Sequence, residues 1–227
     1  MTLLPSILVI VAACYLIGGI PFGFLMGKAK GIDIRDHGSG NIGATNVLRT
    51  CGKAAGLICF LLDALKGFLP VAFVIHLAGP DVVRAIEILD SSPRITLNEY
   101  SPLIAVFATV SGHIWTPYLR FRGGKGIATS AGALLAVSPI PVVVGLVLWA
   151  IVVATTKYVS LASIMAAASL PITGIVTSDV PAGEMTSDPV LILLFVLAFV
   201  AIVRHSSNIQ RLLSGTENRI GTKKEPE

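Results

Sequence analysis

Seven apolar segments, separated by short polar stretches, constrain this chain more than any other feature of the sequence. They are Leu3–Met26, Ala54–Ala78, Pro102–Leu119, Ile127–Val137, Pro139–Thr156, Tyr158–Thr177 and Pro189–Val203. A helix needs roughly 20 apolar residues to cross the hydrocarbon core of a bilayer. The segments therefore predict an all-α, polytopic membrane protein with seven transmembrane helices, of which the fourth and the seventh are short.

The composition agrees with a membrane protein, since 54% of the 227 residues are hydrophobic and only 13% are charged. Soluble domains carry about 25% charged residues. Residues 1–27 contain no charge, so the first segment lacks the basic region of a cleavable signal and is expected to be a retained span. We expect one integral membrane domain over residues 1–227, with a frayed tail at 221–227.

The Lys and Arg residues predict the orientation of the chain. Most of the 17 lie in the stretches after the first, third, fifth and seventh segments. The positive-inside rule makes that side cytoplasmic, so the N-terminus is expected outside and the C-terminus inside the cell membrane. The opposite loop Gly79–Tyr100 has mixed charge and is expected to carry a surface helix. Asp63 and Lys66, three apart within the second segment, are expected to pair.

Three unusual polar stretches share the predicted cytoplasmic side. They read GSGNIGATNVLR at Gly38–Arg49, FRGGKGIAT at Phe121–Thr129, and HSSNIQRLLSGTENRIG at His205–Gly221. The first contains the spacing G-x-G-x-x-G, but a dinucleotide-binding fingerprint also needs a preceding strand and a βαβ unit. Here a membrane segment lies on either side of the stretch, so a dinucleotide fold is excluded.

These stretches have the chemistry of a phosphate site. Glycine lets backbone N–H groups approach an anion, and a helix N-terminus adds further donors. Arg49, Lys125 and Arg211 supply fixed positive charge. Close helix packing by the glycines and snorkelling of the cations are the alternative interpretation. The occurrence of three such stretches on one side favours a site for phosphorylated ligands.

Together the three stretches resemble the bacterial acyl-phosphate:glycerol-3-phosphate acyltransferases, integral membrane enzymes of phospholipid synthesis. The matching runs are GSGNIGATNVLR, GHIWTPYLRFRGGKGIAT and HSSNIQRLLSGTENR, in the order and with the spacing of that family. The third run departs from the usual H-R-x-N-I of the family because Ser206 stands where the family has Arg. No basic side chain can therefore act at that position in this chain.

The resemblance implies a seven-helix fold with its active site on the cytoplasmic side. It also implies the reaction, in which the 1-hydroxyl of glycerol 3-phosphate attacks an acyl phosphate to give lysophosphatidate and phosphate. This is the first step of phospholipid biosynthesis. The expected partners are these two substrates and membrane lipid. No cofactor and no metal are expected, and the absence of a basic stripe interleaved with aromatic residues argues against nucleic acid.

The resemblance also suggests roles for individual residues. His205 is the candidate general base, although a substrate phosphate could accept the proton instead. Asn208 is expected to polarise the carbonyl or orient glycerol phosphate, and Lys125 to hold a phosphate of either substrate. The residues expected to bind substrate are Ser39, Gly40, Asn41, Gly43, Thr45, Asn46, Arg49, Gly123, Gly124, Ser160, Ser163, Arg211 and Glu217.

Several alternatives stay open at this point. Arg49 could contact lipid headgroups, and Ser160 or Ser163 could cap a helix. Glu217 is favoured in a structural role, paired with Arg211, Arg219 or Lys125. A transporter of a phosphorylated solute is the competing function, but it predicts polar residues through the depth of the bilayer, whereas polarity here gathers on one side. A non-catalytic lipid-binding subunit is the third possibility.

Overall fold

The computed structural model describes residues 3–77, 100–178, 180–181 and 184–221. These residues form α-helices, short 3₁₀ turns and loops, with no β-strand among them. The chain divides into two compact units, an N-terminal unit at Met1–Val137 and a C-terminal unit at Ser138–Glu227. The single domain expected from the sequence stays a prediction. The surface helix expected near Gly79–Tyr100 and the end of the tail lie outside the described residues.

The N-terminal unit contains six helices in its described part. They are α1 (Leu3–Gly19), α2 (Phe22–Ala29), α3 (Ala44–Cys51), α4 (Lys53–Leu77), α5 (Ser101–Ile114) and α6 (Ile127–Val137). Short 3₁₀ turns lie at Ile34–Asp36 and Pro117–Leu119. Helix α4 is the centre of this unit, because α1, α2, α3, α5 and α6 all pack against it.

Four helices lie in the described part of the C-terminal unit. They are α7 (Pro139–Thr156), α8 (Val159–Thr177), α9 (Pro189–Arg204) and α10 (Ser206–Leu213), with a 3₁₀ turn at Met185–Ser187. Helix α8 packs against α7, α9 and α10. Asp188 starts α9 as an N-cap, since its carboxylate accepts the backbone N–H groups of Val190 and Leu191.

All seven apolar segments are helical over most of their predicted length, and the all-α membrane class is confirmed. Within the residues that the structure describes, four candidate crossings are long and apolar enough to span a membrane, at Ile7–Ala29, Lys53–Leu77, Pro139–Thr156 and Val159–Thr177. A fifth arises if α9 and α10, bent by 57° at their junction, count as one. The third segment ends as a helix at Ile114 rather than Leu119. Seven crossings therefore stay a prediction.

Helix α4 shows how a membrane-spanning helix divides its surface. A stripe of apolar side chains at every fourth position is exposed, namely Leu57, Leu61, Leu65, Leu69 and Phe73. The opposite face buries glycine, Cys59, Asp63 and Lys66 against other helices. Exposed apolar and buried polar residues are the reverse of a soluble helix, as expected where the surrounding solvent is lipid.

Glycines bring two helix pairs of the N-terminal unit close together. On α4 and α6, a methyl group at Gly67 would overlap the carbonyl of Thr129, and one at Gly132 would overlap the carbonyl of Ala64. Each helix thus places a glycine against the backbone of the other. Such small-residue contacts are the usual way in which membrane helices approach closely. They fix α6, and with it the loop that precedes α6, relative to α4.

Pro21 divides the first predicted span into α1 and α2. Proline has no N–H and disfavours helical geometry in the preceding residue, so carbonyl groups at the end of α1 lose their helical partners. Two buried side chains replace those partners. The hydroxyl of Thr116 donates to the carbonyl of Gly19 at 2.6 Å, and Nζ of Lys66 donates to the carbonyl of Ile20 at 2.6 Å.

Candidate active site

Residues 38–43 of the first polar stretch form a folded loop around the side chain of Asn46, and we call them the glycine loop. Asn46 is 2% exposed. Its Nδ2 donates to the carbonyls of Ile34, His37 and Asn41 at 3.1, 3.0 and 2.9 Å. Its Oδ1 accepts the backbone N–H of Ser39 at 2.9 Å. Asn46 therefore holds together the residues on both sides of the glycines, a role that the sequence did not reveal.

Two glycines make this compact loop possible. Gly38 and Gly40 have φ angles of +62° and +67°, in the left-handed region where other residues are strained. A Cβ at Gly38 would also overlap Oδ1 of Asn46. The glycine spacing thus serves the loop conformation and the seating of Asn46.

The backbone amides of this loop are used differently from the expectation. The N–H of Gly40 donates to the carbonyl of His37 at 3.0 Å, and that of Gly43 donates to Oδ1 of Asn41 at 2.8 Å. Both groups, which the sequence suggested as phosphate donors, already have acceptors inside the loop. A tight turn brings acceptors of its own within reach of its amides, which glycine spacing alone does not show.

The second half of the stretch is not loop but helix α3, which begins after Gly43. Thr45 and Arg49 are four residues apart and so share one face of α3, and both are half-buried. The first N–H groups of any helix lack helical acceptors and favour an anion. Thr45 in the first turn and Arg49 in the last turn therefore present a polar face beside the glycine loop.

A small apolar core supports the loop and α3. Its buried members are Ile34, Ile42, Val47, Cys51, Cys59 and Leu119. Because these residues come from the loop, α3, α4 and the turn after α5, the core joins the glycine loop to the rest of the N-terminal unit. All three cysteines, including Cys14, are buried free thiols.

An ion pair marks the entry to the glycine loop. Asp33 caps the 3₁₀ turn and binds Arg35 through a bidentate pair, with Nε to Oδ1 at 2.9 Å and Nη2 to Oδ2 at 2.7 Å. These hydrogen bonds hold the pKa of Asp33 well below its usual range, although burial acts in the opposite direction. The guanidinium of Arg35 also lies 4.9 Å from the ring centroid of Phe24.

The second stretch, Gly123–Lys125, is anchored at the end of α5. The N–H of Gly123 donates to the carbonyl of Ile114 at 3.1 Å, and that of Gly124 donates to the carbonyl of His113 at 3.1 Å. These two amides therefore cap the C-terminus of α5. Lys125 follows, half-buried, and Gly126, with a φ of +85°, leads into α6. We call residues 123–126 the glycine–lysine loop.

A buried charged group lies between α4 and α5. Asp63 and Lys66 form an ion pair, with Oδ1 to Nζ at 2.7 Å and both side chains 3% exposed. The pairing predicted from their spacing is thus confirmed. Nδ1 of His113 lies 3.8 Å from the same Oδ1. Lys66 also lies over the ring of Phe22, 5.4 Å from its centroid.

The C-terminal unit contains a polar cluster of its own, built around the buried carboxylate of Glu217. Its Oε1 accepts Oγ of Ser160 at 2.9 Å and Nδ2 of Asn208 at 2.8 Å. Its Oε2 accepts Nε of Arg211 at 2.7 Å. Of the residues expected to bind substrate, Ser160, Arg211 and Glu217 therefore converge here with Asn208. We call these four residues the Glu217 cluster.

The Glu217 cluster keeps its carboxylate ionised. Burial acts to raise the pKa of Glu217, but the hydrogen bonds from Asn208, Arg211 and Ser160 outweigh it, so the pKa is lowered overall. A carboxylate that is surrounded by protein donors is suited to orienting them. Glu217 is therefore placed as a partner of Arg211, as favoured from the sequence, and Arg219 instead lies over the ring of Tyr158 at 4.8 Å.

His205 occupies the bend between α9 and α10 and is buried. Its Nδ1 lies 2.7 Å from the carbonyl of Ala201, and a carbonyl can only accept. Nδ1 therefore carries a proton, and in the neutral form of the ring the lone pair is on Nε2. Its backbone carbonyl accepts the N–H of Asn208 at 2.9 Å, which starts α10.

Ser163 has a different environment from Ser160. Its hydroxyl accepts the indole N–H of Trp149 at 3.2 Å, which links α7 to α8. Ser160, one turn earlier, reaches Glu217. The structure thus brings Ser160 into the Glu217 cluster and gives Ser163 a contact between helices.

Comparison with known proteins shows the family to which these sites belong. Residues 8–215 match the family model described as glycerol-3-phosphate acyltransferase. The chain belongs to the glycerol-3-phosphate acyltransferase family. A relative with that name from Desulforamulus reducens is 43% identical over 220 residues, covering 96% of this chain and 97% of the relative. Another from Geobacter sulfurreducens is 42% identical, covering 93% and 96%.

Two solved structures are similar to this acyltransferase along almost its whole length. Both are crystal structures of PlsY, described as an integral membrane glycerol 3-phosphate acyltransferase. The glycerol 3-phosphate form has a TM-score of 0.78, and the lysophosphatidic acid form has a TM-score of 0.76. Each is 37% identical, with 96% of both chains covered. The protein is thus a multi-pass membrane acyltransferase, and the family predicted from its three polar stretches is confirmed.

Proposed function

We propose that this acyltransferase transfers an acyl group from an acyl phosphate to the 1-hydroxyl of glycerol 3-phosphate. The hydroxyl oxygen forms a bond to the acyl carbon, and the bond from that carbon to the phosphate oxygen breaks. The products are 1-acylglycerol 3-phosphate, inorganic phosphate and the proton of the hydroxyl. The main support is that the similar PlsY structures are glycerol 3-phosphate and lysophosphatidic acid forms, since lysophosphatidic acid is glycerol 3-phosphate with one acyl group added.

In the N-terminal unit, we assign phosphate binding to the side chains beside the two glycine loops. Arg49 offers a planar fork for two phosphate oxygens, and Lys125 offers a point charge on the phosphate of either substrate. Ser39 is exposed at the tip of the glycine loop, and Thr45 lies on the same helix face as Arg49. The engaged amides and Asn46 position these groups.

In the C-terminal unit, His205 and the Glu217 cluster are assigned to the acceptor hydroxyl and the reacting carbonyl. The lone pair on Nε2 of His205 suits a general base, and a substrate phosphate is the other candidate for that role. Asn208, held by Glu217, orients substrate or stabilises charge on the carbonyl oxygen. Arg211 keeps 35% of its side chain exposed while it binds Glu217, so it supplies charge for a substrate phosphate.

No covalent enzyme intermediate is required by this reaction. An acyl phosphate is already activated, because phosphate is a good leaving group. Positioning two substrates can supply up to roughly 7–11 kcal/mol of the acceleration, and fixed cations stabilise the charge on the departing phosphate. The site therefore needs two anion-binding regions.

We further propose seven crossings, an outer N-terminus and a cytoplasmic C-terminus in the cell membrane, which places the three polar stretches on the cytoplasmic side. The basic residues of the sequence support this orientation. The enzyme then acts at the first step of phospholipid biosynthesis. Family membership favours an acyltransferase over a transporter of a phosphorylated solute.

The decisive experiment uses the purified full-length protein in detergent with palmitoyl phosphate as the donor. Release of inorganic phosphate and formation of palmitoyl-glycerol 3-phosphate are measured with and without glycerol 3-phosphate. We expect both products in equal amounts and only with the acceptor present. Release that does not depend on the acceptor contradicts the proposed reaction. Transfer from palmitoyl-CoA in the absence of palmitoyl phosphate contradicts the choice of donor.

A further inference from the structure

We propose that His113 is a positioning residue for the glycine–lysine loop. Its imidazole fills the space directly behind Gly124 and so determines where Lys125 is presented. The inference deepens the proposed function, since it rests on the assignment of Lys125 to a substrate phosphate. The sequence places His113 in the matching run GHIWTPYLRFRGGKGIAT but gives it no role.

Two contacts join His113 to the loop. The first is the hydrogen bond from the N–H of Gly124 to the carbonyl of His113, at 3.1 Å. The second is the packing of Gly124 against the imidazole ring. A Cβ at position 124 would overlap Nε2 and lie 3.0 and 3.2 Å from Cε1 and Cδ2. The backbone of Gly124 therefore rests on the ring with no room for a methyl group.

The far side of the imidazole faces a buried ion pair. Nδ1 of His113 lies 3.8 Å from Oδ1 of Asp63, and Lys66 holds that carboxylate in a buried ion pair at 2.7 Å. Lys66 is itself tied to the carbonyl of Ile20 at the break between α1 and α2. Because His113 is 4% exposed, its ring cannot move away from Gly124 without displacing this buried group.

Lys125 follows Gly124 directly, so a shift of Gly124 moves the residue assigned to phosphate. Rate losses of the order of 100-fold can follow displacements of about 1 Å in a well-oriented site. His113 thus acts through the loop and not by touching substrate. Its loss is expected to alter the binding of the phosphorylated substrate that Lys125 holds.

The neighbouring glycine gives a matched control for this geometry. A Cβ at Gly123 would overlap the backbone carbonyl of His113 and lie 2.7 Å from that of Ile114. Those carbonyls are present whatever residue stands at 113. Truncating the histidine can therefore make room for a methyl group at 124 but not for one at 123.

The test is a double-mutant cycle on the full-length protein, with His113→Ala, Gly124→Ala and the double variant, beside Gly123→Ala with and without His113→Ala. Transfer from palmitoyl phosphate and thermal unfolding in detergent are both measured. We expect His113→Ala to raise the KM for one phosphorylated substrate by at least about fivefold while the other changes by less than about twofold. A loss of stability alone, with both KM values unchanged, overturns the proposal.

In the same cycle, we expect Gly124→Ala to lower kcat/KM by about 30-fold or more, and the added His113→Ala to recover about fivefold of that loss. It should recover nothing in Gly123→Ala. The proposal is overturned if the losses caused by His113→Ala and Gly124→Ala simply multiply in the double variant. It is also overturned if His113→Ala recovers as much activity in Gly123→Ala as in Gly124→Ala. The melting temperatures should show the same coupling between positions 113 and 124. The steric overlap between His113 and a methyl group at 124 is therefore tested even if the wild type does not use palmitoyl phosphate. That failure would overturn only the proposed reaction and the role of Lys125.

Discussion

Nδ2 of Asn208 donates a hydrogen bond of 2.8 Å to Oε1 of Glu217, nine residues further along the chain. This bond folds the end of the chain back onto α10 and fixes the side-chain amide that the proposed reaction uses. Ser160 and Arg211 bind the same carboxylate, so one buried charge orients three side chains.

Replacing Glu217 with Gln keeps the shape of the side chain but removes its charge. Hydrogen bonds to charged groups contribute about 1.5–3 kcal/mol each, so we expect a clear fall in melting temperature and about a tenfold or larger loss of turnover. Thermal unfolding and phosphate release measure the two effects. Glu184→Gln, at an exposed position, is the control. A Glu217→Gln variant as stable and active as the wild type contradicts the role of the cluster.

The lowered pKa of Glu217 predicts how stability depends on pH. The folded protein holds this carboxylate ionised below the ordinary value of 4.5. The stabilisation is therefore complete above that pH and is lost as pH falls through the lowered pKa. The difference in melting temperature between wild type and Glu217→Gln should be constant from neutral pH to about pH 5 and shrink in more acidic buffer. A difference that grows on acidification would reverse the predicted sign.

Removing the side chain of Asn46 should unfold the glycine loop. The change to Ala removes four hydrogen bonds. The carbonyls of Ile34 and His37 each keep a backbone N–H donor, but the N–H of Ser39 loses its acceptor, and an unsatisfied buried group costs about 1–3 kcal/mol. We expect the unfolding free energy to drop by about 2 kcal/mol or more, with loss of activity. Asp36→Asn, at an exposed position in the same segment, should match the wild type. Retention of full activity by Asn46→Ala shows that the loop does not need its buried amide.

The two cations of the N-terminal unit should be required for turnover. Arg49→Ala and Lys125→Ala are each expected to lower kcat/KM by at least about tenfold, since removal of a charge at a phosphate weakens charge-assisted hydrogen bonds. Arg49→Lys should recover only part of the loss, because a lysine lacks the planar fork. Lys53→Ala, at an exposed position at the start of α4, is the control. A variant with a rate near that of the wild type would show that the replaced cation is not part of the site.

The predicted orientation can be tested by cysteine labelling in sealed inverted membrane vesicles. The native thiols are all buried, so they should contribute little background. Single cysteines at Asp36 and Arg120, both exposed, should react with an impermeant maleimide added to the cytoplasmic side. Labelling of the two positions from opposite sides of the membrane would contradict the assignment of both glycine loops to one face.

The sequence by itself determined the membrane class, the positions of the long helices and the family. These properties depend on local composition, since an apolar run of sufficient length must be helical in lipid. The bounds of α6 and α7 agree with the predicted segments Ile127–Val137 and Pro139–Thr156, since Gly126 precedes α6 and Pro139 opens α7. The ion pair of Asp63 and Lys66 also followed from local spacing.

Only the tertiary structure decided what the glycine-rich stretches do. The sequence suggested the N–H groups of Gly40 and Gly43 as anion ligands, but in the structure they donate to acceptors within the loop. Those acceptors are close in sequence, but only the folded turn brings them within hydrogen-bond distance. The roles of His113 behind Gly124 and of Glu217 beneath Ser160 depend on contacts between distant parts of each unit. Such contacts arise from tertiary packing, which the spacing of residues along a chain does not predict.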